Sequence, residues 1–332
     1  MATLAIGNEA LEAELLPRLE LVEERLRDAV AQSDKLADAT SRHLVDAGGK
    51  RLRPVLALLC AQLGDGARPE VLDAAVVVEL THLATLYHDD VMDSAPTRRG
   101  APAAHEVWGN SVAILTGDLL FARASRVVAG LGPQAVRIQA ETFERLCLGQ
   151  LHETVGASES DDPIAFYLQV LVDKTGSLIA TSARFGAMFG GCPPSIVEKV
   201  TAYGEAAGVA FQLADDVIDI RSDAATTGKT PGTDLREGVP TMPVLLLRRR
   251  LAAGEGTDAD QELLDAIDGD LSDDAVLADV VARLSAHVVV DETATLARAW
   301  ATQAKDAVAQ LPEGDVKASL LAFADALVAR AA

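Results

Sequence analysis

Residues 71–93 read VLDAAVVVELTHLATLYHDDVMD. Apolar residues fill at least one whole side of this run, which suits a helix buried in a protein interior rather than one lying on a surface. It ends in three carboxylates, Asp89, Asp90 and Asp93. Acidic side chains avoid apolar surroundings unless they are paired or bind metal. Helical residues three and four apart share a face, so these three can converge. A lone DxxxD on a helix is ordinarily a solvated face, but here the pattern returns as DDVID, with Asp215, Asp216 and Asp219 at the end of another apolar run. Brought together, six carboxylates would repel strongly. Hard cations such as Mg²⁺ relieve that repulsion with one or two carboxylates each and take further ligands from substrate phosphates. The two clusters point to a divalent-metal site for a diphosphate.

Outward from these runs the pattern stays helical. Alanine and leucine are abundant, Gly and Pro fall mainly between apolar-periodic stretches, and alternating β-branched runs are scarce, so the fold class is all-α. The periodicity predicts helices near 8–31, 34–46, 54–63, 69–93, 104–130, 133–155, 163–174, 176–190, 194–221 and 240–251, with several more after 258. No Pro/Gly/Ser linker divides the 332 residues, so the expectation is a single domain over 1–332, its motifs at about 40–245 and C-terminal helices at about 258–331.

Cations flank the first acidic cluster. Ser94-Ala95-Pro96 breaks the helix, and Arg98 and Arg99 follow, whose guanidinium forks suit bidentate phosphate binding. Upstream, AGGKRLRP places Gly48 and Gly49 before Lys50, Arg51 and Arg53, with Pro54 at a helix start, which reads as an anion site. Basic residues beside a Gly-Gly turn are often merely exposed, but five cationic residues accompanying two acidic clusters are hard to assign to coincidence.

With these pieces in order, the chain resembles the trans-prenyltransferases, or polyprenyl (isoprenyl) diphosphate synthases. The matching segments are GGKRLRP at 48–54, LYHDDVMD at 86–93, RRG at 98–100, GD at 117–118, KTGSL at 174–178, FQLADDVID at 211–219 and GKTPGTD at 228–234. Within the family it is most like the long-chain synthases that make quinone side chains. The resemblance implies an isoprenoid-synthase-type helical bundle around a central cavity, a homodimer, and head-to-tail condensation of isopentenyl diphosphate with an allylic diphosphate.

That chemistry needs cations on the departing diphosphate. Asp89, Asp93 and Asp215 are the first ligands chosen, with Asp90, Asp216 and Asp219 as further ligands or supports; the resemblance implies three Mg²⁺ ions. Arg98, Lys174 and Lys229 would add positive charge at the leaving group, and Thr175 and Gln212 hydrogen bonds. Lys50, Arg53, His82 and Arg99 match the family positions that bind isopentenyl diphosphate. His82 lies seven residues before Asp89, close to two turns, and so shares its face; a lone histidine on an apolar helix would otherwise read as a packed core residue. No protein base stands out for the final deprotonation, and the family picture gives that proton to the released pyrophosphate. The Gly/Pro/Thr-rich segment 228–234 reads as a lid that excludes water.

Product length is read from the same helix. Thr85 and Ala84, four and five residues before Asp89, lie about 6–7.5 Å farther from the metal end. Short-chain family members commonly place a bulky aromatic here as a floor. Two small residues would let the chain descend past Thr81, Leu80 and Val77, giving about seven to ten isoprene units, for a menaquinone-type side chain. A short-chain farnesyl or geranylgeranyl diphosphate synthase is the alternative, and close helix packing is the other use of small residues here.

Other classes fare worse. A class I terpene cyclase normally carries an Asn/Ser/Glu-type second motif and an aromatic-lined cavity, whereas aromatics are 4% of this chain. A di-iron bundle needs two Glu-x-x-His pairs, and Glu79-Leu80-Thr81-His82 is a single instance. A regulatory subunit of a heteromeric synthase should have lost motif residues, and all are present. With 29 basic against 50 acidic residues, the net charge of −21 disfavours nucleic acid and charge-driven adsorption to anionic lipid. No apolar run approaches a membrane span and the N-terminus has no signal pattern, so the expectation is a cytoplasmic protein without stable membrane insertion. Cys60, Cys147 and Cys192 lack a CxxC pattern and are expected to be buried free thiols.

Overall fold

The computed structural model describes residues 6–221 and 231–329. Its helices are α1 (Glu9–Val30), α2 (Lys35–Asp46), α3 (Leu52–Ala61), α4 (Pro69–Met92), α5 (Ala104–Trp108), α6 (Asn110–Gly130), α7 (Pro133–Val155), α8 (Pro163–Leu171), α9 (Ser177–Phe189), α10 (Pro194–Arg221), α11 (Thr233–Arg236), α12 (Met242–Ala252), α13 (Asp258–Ile267), α14 (Asp274–Ser285), α15 (Val288–Val308) and α16 (Asp315–Ala329). Between α4 and α5 run two short strands, β1 (Thr97–Arg98) and β2 (Ala101–Pro102), and a π-helical turn (Val172–Gly176) joins α8 to α9. The fold is all-α, as the sequence pattern predicts.

Local chemistry sets the helix ends. Asn8 and Asp34 accept hydrogen bonds from the backbone of Leu11 and Ala37, and Thr257 and Asp260 form a reciprocal capping box. Pro69 and Pro163 start α4 and α8, where a missing N–H costs nothing. Two boundaries depart from expectation. The helix predicted over 104–130 is broken at Gly109, whose φ of 83° and ψ of 160° separate α5 from α6. The helix predicted over 163–174 ends as α-helix at Leu171 and continues as the π turn.

The chain's contacts gather into two compact units. The first comprises Met1–Leu146, Ser177–Gly204 and Ala307–Ala322; the second comprises Cys147–Gly176, Glu205–Asp306 and Phe323–Ala332. Neither unit is one contiguous stretch, and the chain passes between them inside helices α7, α10, α15 and α16, so no linker composition marks the division. The motifs at 40–245 fall in both.

In the first unit α4 packs against α6, and α3 against α9 and α4. A cluster of Val77, Val78, Ile138, Leu178 and Phe185 closes its core. Glycines allow the closest approaches: a Cβ on Gly186 would come 2.1 Å from the Ala57 carbonyl oxygen, and one on Gly190 2.6 Å from that of Ala61. In the second unit Leu171, Leu213, Val217, Met242, Leu246, Leu284 and Val289 form the core. Each such large apolar side chain contributes about 1.5–3 kcal/mol on burial.

All three cysteines are free, but only Cys60 is buried; Cys147 is exposed on α7 and Cys192 is partly exposed, against the expectation of three buried thiols. Among the described residues no helix is long and apolar enough to cross a membrane.

Candidate active site

In the first unit, α4 delivers the leading acidic cluster. A helix turns about 100° per residue, so Asp89 and Asp93 stay within about 40° of each other while Asp90 rotates away. Asp89 is partly exposed and Asp93 exposed, whereas Asp90 is wholly buried. Arg98 Nε donates to Asp90 Oδ1. Burial raises the Asp90 pKa against the pull of Arg98, and its Oδ2 has no hydrogen-bond partner. The spacing let all three aspartates converge; the structure makes Asp90 the partner of Arg98.

Arg98 and Arg99 ride on the β ribbon. Thr97 pairs with Pro102 and Arg98 with Ala101, leaving Arg99 and Gly100 as a two-residue turn with φ of 54° and 79°. Positive φ at both positions is the signature of a type I′ hairpin. Arg99 Nη1 donates to the carbonyls of Leu44 (3.1 Å) and Gly48. Its guanidinium occupies the space a side chain at position 49 would need: a Cβ on Gly49 would lie 2.8 Å from Arg99 Cζ. The Gly-Gly turn predicted from sequence thus serves the passage of Arg99.

The remaining cations surround His82. Its pKa is pushed well below the ordinary value, first by burial and then by Arg53, Arg99, Arg98 and Arg51, so the imidazole is neutral. Arg53 is lowered to about 10 by burial, opposed by Glu79, and its Nε lacks a partner. Lys50 is exposed. The structure therefore brings His82, Arg53 and Arg99 within electrostatic reach of one another. His88, on the same helix, reaches the Ile114 carbonyl at 3.0 Å and Asp118 at 3.4 Å. Gly117 makes that possible, since a Cβ there would sit 2.3 Å from His88 Nε2.

Two residues in this region have parts the sequence did not indicate: Arg51, read there as one of the anion-site cations, is instead tied to protein acceptors, and Glu79 was given no part in the site. Arg51 is 5% exposed, holds φ at 50° before α3, and donates to Glu23, Glu79 (2.9 Å), Val45 O (3.0 Å) and Gly48 O (3.2 Å). Glu79 is 1% exposed. Removing one partner of such a buried pair costs about 3–5 kcal/mol, because the other charge is left uncompensated. The available signal was a glutamate inside an otherwise apolar run.

The second unit repeats the acidic arrangement on α10. Asp215 and Asp219 are partly exposed, and Asp216 is 1% exposed. Asp216 Oδ2 accepts from the Tyr167 hydroxyl (2.9 Å) and the Met242 N–H (3.3 Å), while Oδ1 has no partner. Burial pushes the Asp216 pKa up to about 8, despite the bond from Tyr167. Asp219 meets the chain at the start of α11: its carbonyl accepts from Gly232 N–H at 2.8 Å and its Oδ2 from Asp234 N–H at 3.3 Å. The rest of the predicted lid, with Lys229, lies outside the described residues.

Lys174 and Thr175 sit in the π turn, an irregularity frequent at functional positions. The turn approaches α7 so closely that a Cβ on Gly149 would lie 2.6 Å from Lys174 N. Lys174 Nζ bonds Glu153, and Thr175 Oγ1 lies 3.4 Å from Gln212 Oε1. The structure thus joins Thr175 to Gln212, as one site would require.

The donor set fits a hard cation. The exposed ligand candidates are all carboxylates, and Asp90 and Asp216 each keep one orphaned buried oxygen. Among the described residues, no group of three His, Cys, Asp or Glu is placed to hold a metal ion by itself.

The polyprenyl synthetase family model matches residues 34–284. The chain belongs to this family. It is 43% identical to a nonaprenyl diphosphate synthase of Mycobacterium tuberculosis, over 99% of this chain and 97% of that one. A polyprenyl synthase of Caulobacter crescentus, solved with calcium and isoprenyl diphosphate, superposes with a TM-score of 0.88 at 31% identity, covering 100% and 99% of the two chains. A geranylgeranyl pyrophosphate synthase of Corynebacterium glutamicum, also with calcium and isoprenyl diphosphate, gives 0.85 at 42% identity over 98% of each.

Proposed function

We propose that this protein is a Mg²⁺-dependent trans-prenyltransferase that extends an allylic diphosphate with isopentenyl diphosphate to a long all-trans chain, about seven to ten isoprene units, and that it acts as a cytoplasmic homodimer. The observation that carries the reaction is that, within the first unit, the helix bearing the partly exposed Asp89 and the exposed Asp93 also bears His82, with Arg53, Arg99, Arg98 and Arg51 in electrostatic reach of that histidine. Bound Mg²⁺ would neutralise the leaving diphosphate and assist its departure. In the first unit Asp89 and Asp93 would hold cations, with Asp90 braced behind them by Arg98, and in the second Asp215 and Asp219 would do so, with Asp216 braced by Tyr167. Arg53, Arg99, His82 and Lys50 bind isopentenyl diphosphate; a neutral imidazole adds a hydrogen bond there without competing for charge. Lys174 and Lys229 stabilise charge developing on the departing group, and Thr175 and Gln212 orient it.

Long product is supported by the similarity to the nonaprenyl synthase and by the small residues on α4. The similarity to a geranylgeranyl synthase at nearly the same identity is what the short-chain alternative rests on, and the residues of α4 are where the two readings differ. Ala84 is fully buried, whereas Thr85 is partly exposed and turns its hydroxyl back to the His82 carbonyl at 2.8 Å. Thr85 is therefore the more open of the two positions, and a phenylalanine at 84 would overpack the helix contact. The test is incubation with Mg²⁺, isopentenyl diphosphate and farnesyl or geranylgeranyl diphosphate, followed by chromatography of the dephosphorylated products. We expect a long product from the wild type and a much shorter one from Thr85→Phe, with the first condensation preserved. A wild type that stops at farnesyl or geranylgeranyl diphosphate overturns the long-chain reading.

A further inference from the structure

Glu79 stands one helical turn before His82 on α4, so the two share a face. Its Oε1 receives Arg51 Nη1 at 2.9 Å and lies 3.8 Å from Arg99 Nη2, so a single carboxylate oxygen is set between two guanidinium groups. Among the described residues, each of those arginines is otherwise tied to backbone carbonyls of residues 44–48 and, for Arg51, to Glu23. Arg53 follows Arg51 by two residues, at the start of α3, so the conformation of Arg51 fixes where the Arg53 side chain begins. Arg51 adopts a left-handed backbone conformation that costs a non-glycine residue energy and persists where surrounding contacts enforce it. The contact available to enforce it from the helix that also carries His82 and Asp89 is Glu79.

We propose that Glu79 is a positioning residue of the isopentenyl diphosphate pocket: by clamping Arg51 and Arg99 from α4, it sets the placement of Arg53 and Arg99 relative to His82. This deepens the reading of that pocket given above and rests on it. Electrostatics alone makes the opposite forecast, which gives the proposal its test. Glu79 is a negative charge beside a diphosphate site, so neutralising it should tighten anion binding if charge were its whole effect. If the carboxylate orders the forks that grip the diphosphate, neutralising it should weaken binding.

The experiment measures steady-state KM for each substrate in the Mg²⁺-loaded enzyme, with the unfolding midpoint measured alongside. Glu79→Gln keeps the shape and removes the charge. It should raise KM for isopentenyl diphosphate about tenfold or more, leave KM for the allylic substrate unchanged and change kcat by less than about threefold. Arg51→Lys, which keeps the charge and loses the fork, should shift the same constant in the same direction. Arg53→Ala serves as the reference for the pocket. If it leaves KM for isopentenyl diphosphate unchanged, the pocket assignment itself fails and the proposal with it. If Arg53→Ala raises that KM while Glu79→Gln lowers it, leaves it unchanged or shifts both substrates alike, the pocket stands and the positioning role of Glu79 is overturned. Should Glu79→Gln not fold, folded Arg51→Lys decides, and an unchanged KM in it overturns the proposal.

Discussion

Asp89 and Asp90 are neighbours with opposite fates. One is partly exposed, and the other is wholly buried against Arg98. The same division separates Asp215 from Asp216, where Tyr167 takes the place of Arg98. Asp89→Ala or Asp215→Ala should therefore lower turnover by several orders of magnitude with the helical circular dichroism nearly unchanged, and chelator should abolish activity in the wild type. Full activity in chelator would refute the metal assignment. The proposed pockets predict that the cationic residues divide by substrate. Arg53→Ala and His82→Ala should chiefly raise KM for isopentenyl diphosphate, while Lys174→Ala should chiefly impair use of the allylic substrate. The reverse pattern would show the two pockets to be exchanged. Residue types and spacing were enough to nominate these side chains, because a diphosphate site needs carboxylates and guanidinium groups whatever their exact placement. Burial was not legible. Nothing in DDVMD distinguishes Asp90 from Asp89 until Arg98 folds back over it, and Glu79 reads as one polar letter in an apolar run until Arg51 and Arg99 are seen beside it.

Helices were the most readable part of the chain, since a 3.6-residue apolar period and Pro or Asp at a start are local signals. The departures arise where a local pattern is overruled. Gly109 breaks an otherwise continuous apolar run, and the π turn at Val172–Gly176 depends on a close approach to Gly149 that no single segment encodes. The hairpin Thr97–Pro102 was missed because its strands are two residues each, too short for alternation to show. Helix α9 illustrates contact written as absence. Gly186 and Gly190, four residues apart, face α3 at distances a methyl group cannot occupy, and the atoms opposing them belong to the backbone, which cannot swing aside. Gly186→Ala should cost about 1–3 kcal/mol or more in urea unfolding, despite the gain in helix propensity that alanine normally brings. Gly130→Ala, at a helix position with no atom within 4 Å of the added carbon, is the matched comparison and should be close to neutral or stabilising. Equal effects at the two sites would show that the α3–α9 approach is not what Gly186 protects.

At the scale of the whole molecule, a net charge of −21 sets one condition on association: copies of this chain repel one another at long range. Any homodimer must be held by short-range apolar contact, and α6 offers a surface for it. Ala113, Thr116, Gly117 and Leu120 turn inward, while Ile114 and Leu115 are 43% and 65% exposed, with Val107 of α5 49% exposed just before them in the chain. Large apolar side chains grouped in this way on a soluble protein ordinarily mark a contact surface. The expected outcome in light scattering at micromolar concentration is twice the chain mass, retained at high salt, because salt screens the repulsion and leaves apolar burial intact. Leu115→Arg adds a charge that association would have to desolvate, so it should move the mass to that of one chain while the circular dichroism stays helical. A monomeric wild type would remove the dimer. A Leu115→Arg variant that still dimerises would place the interface elsewhere than the exposed face of α6.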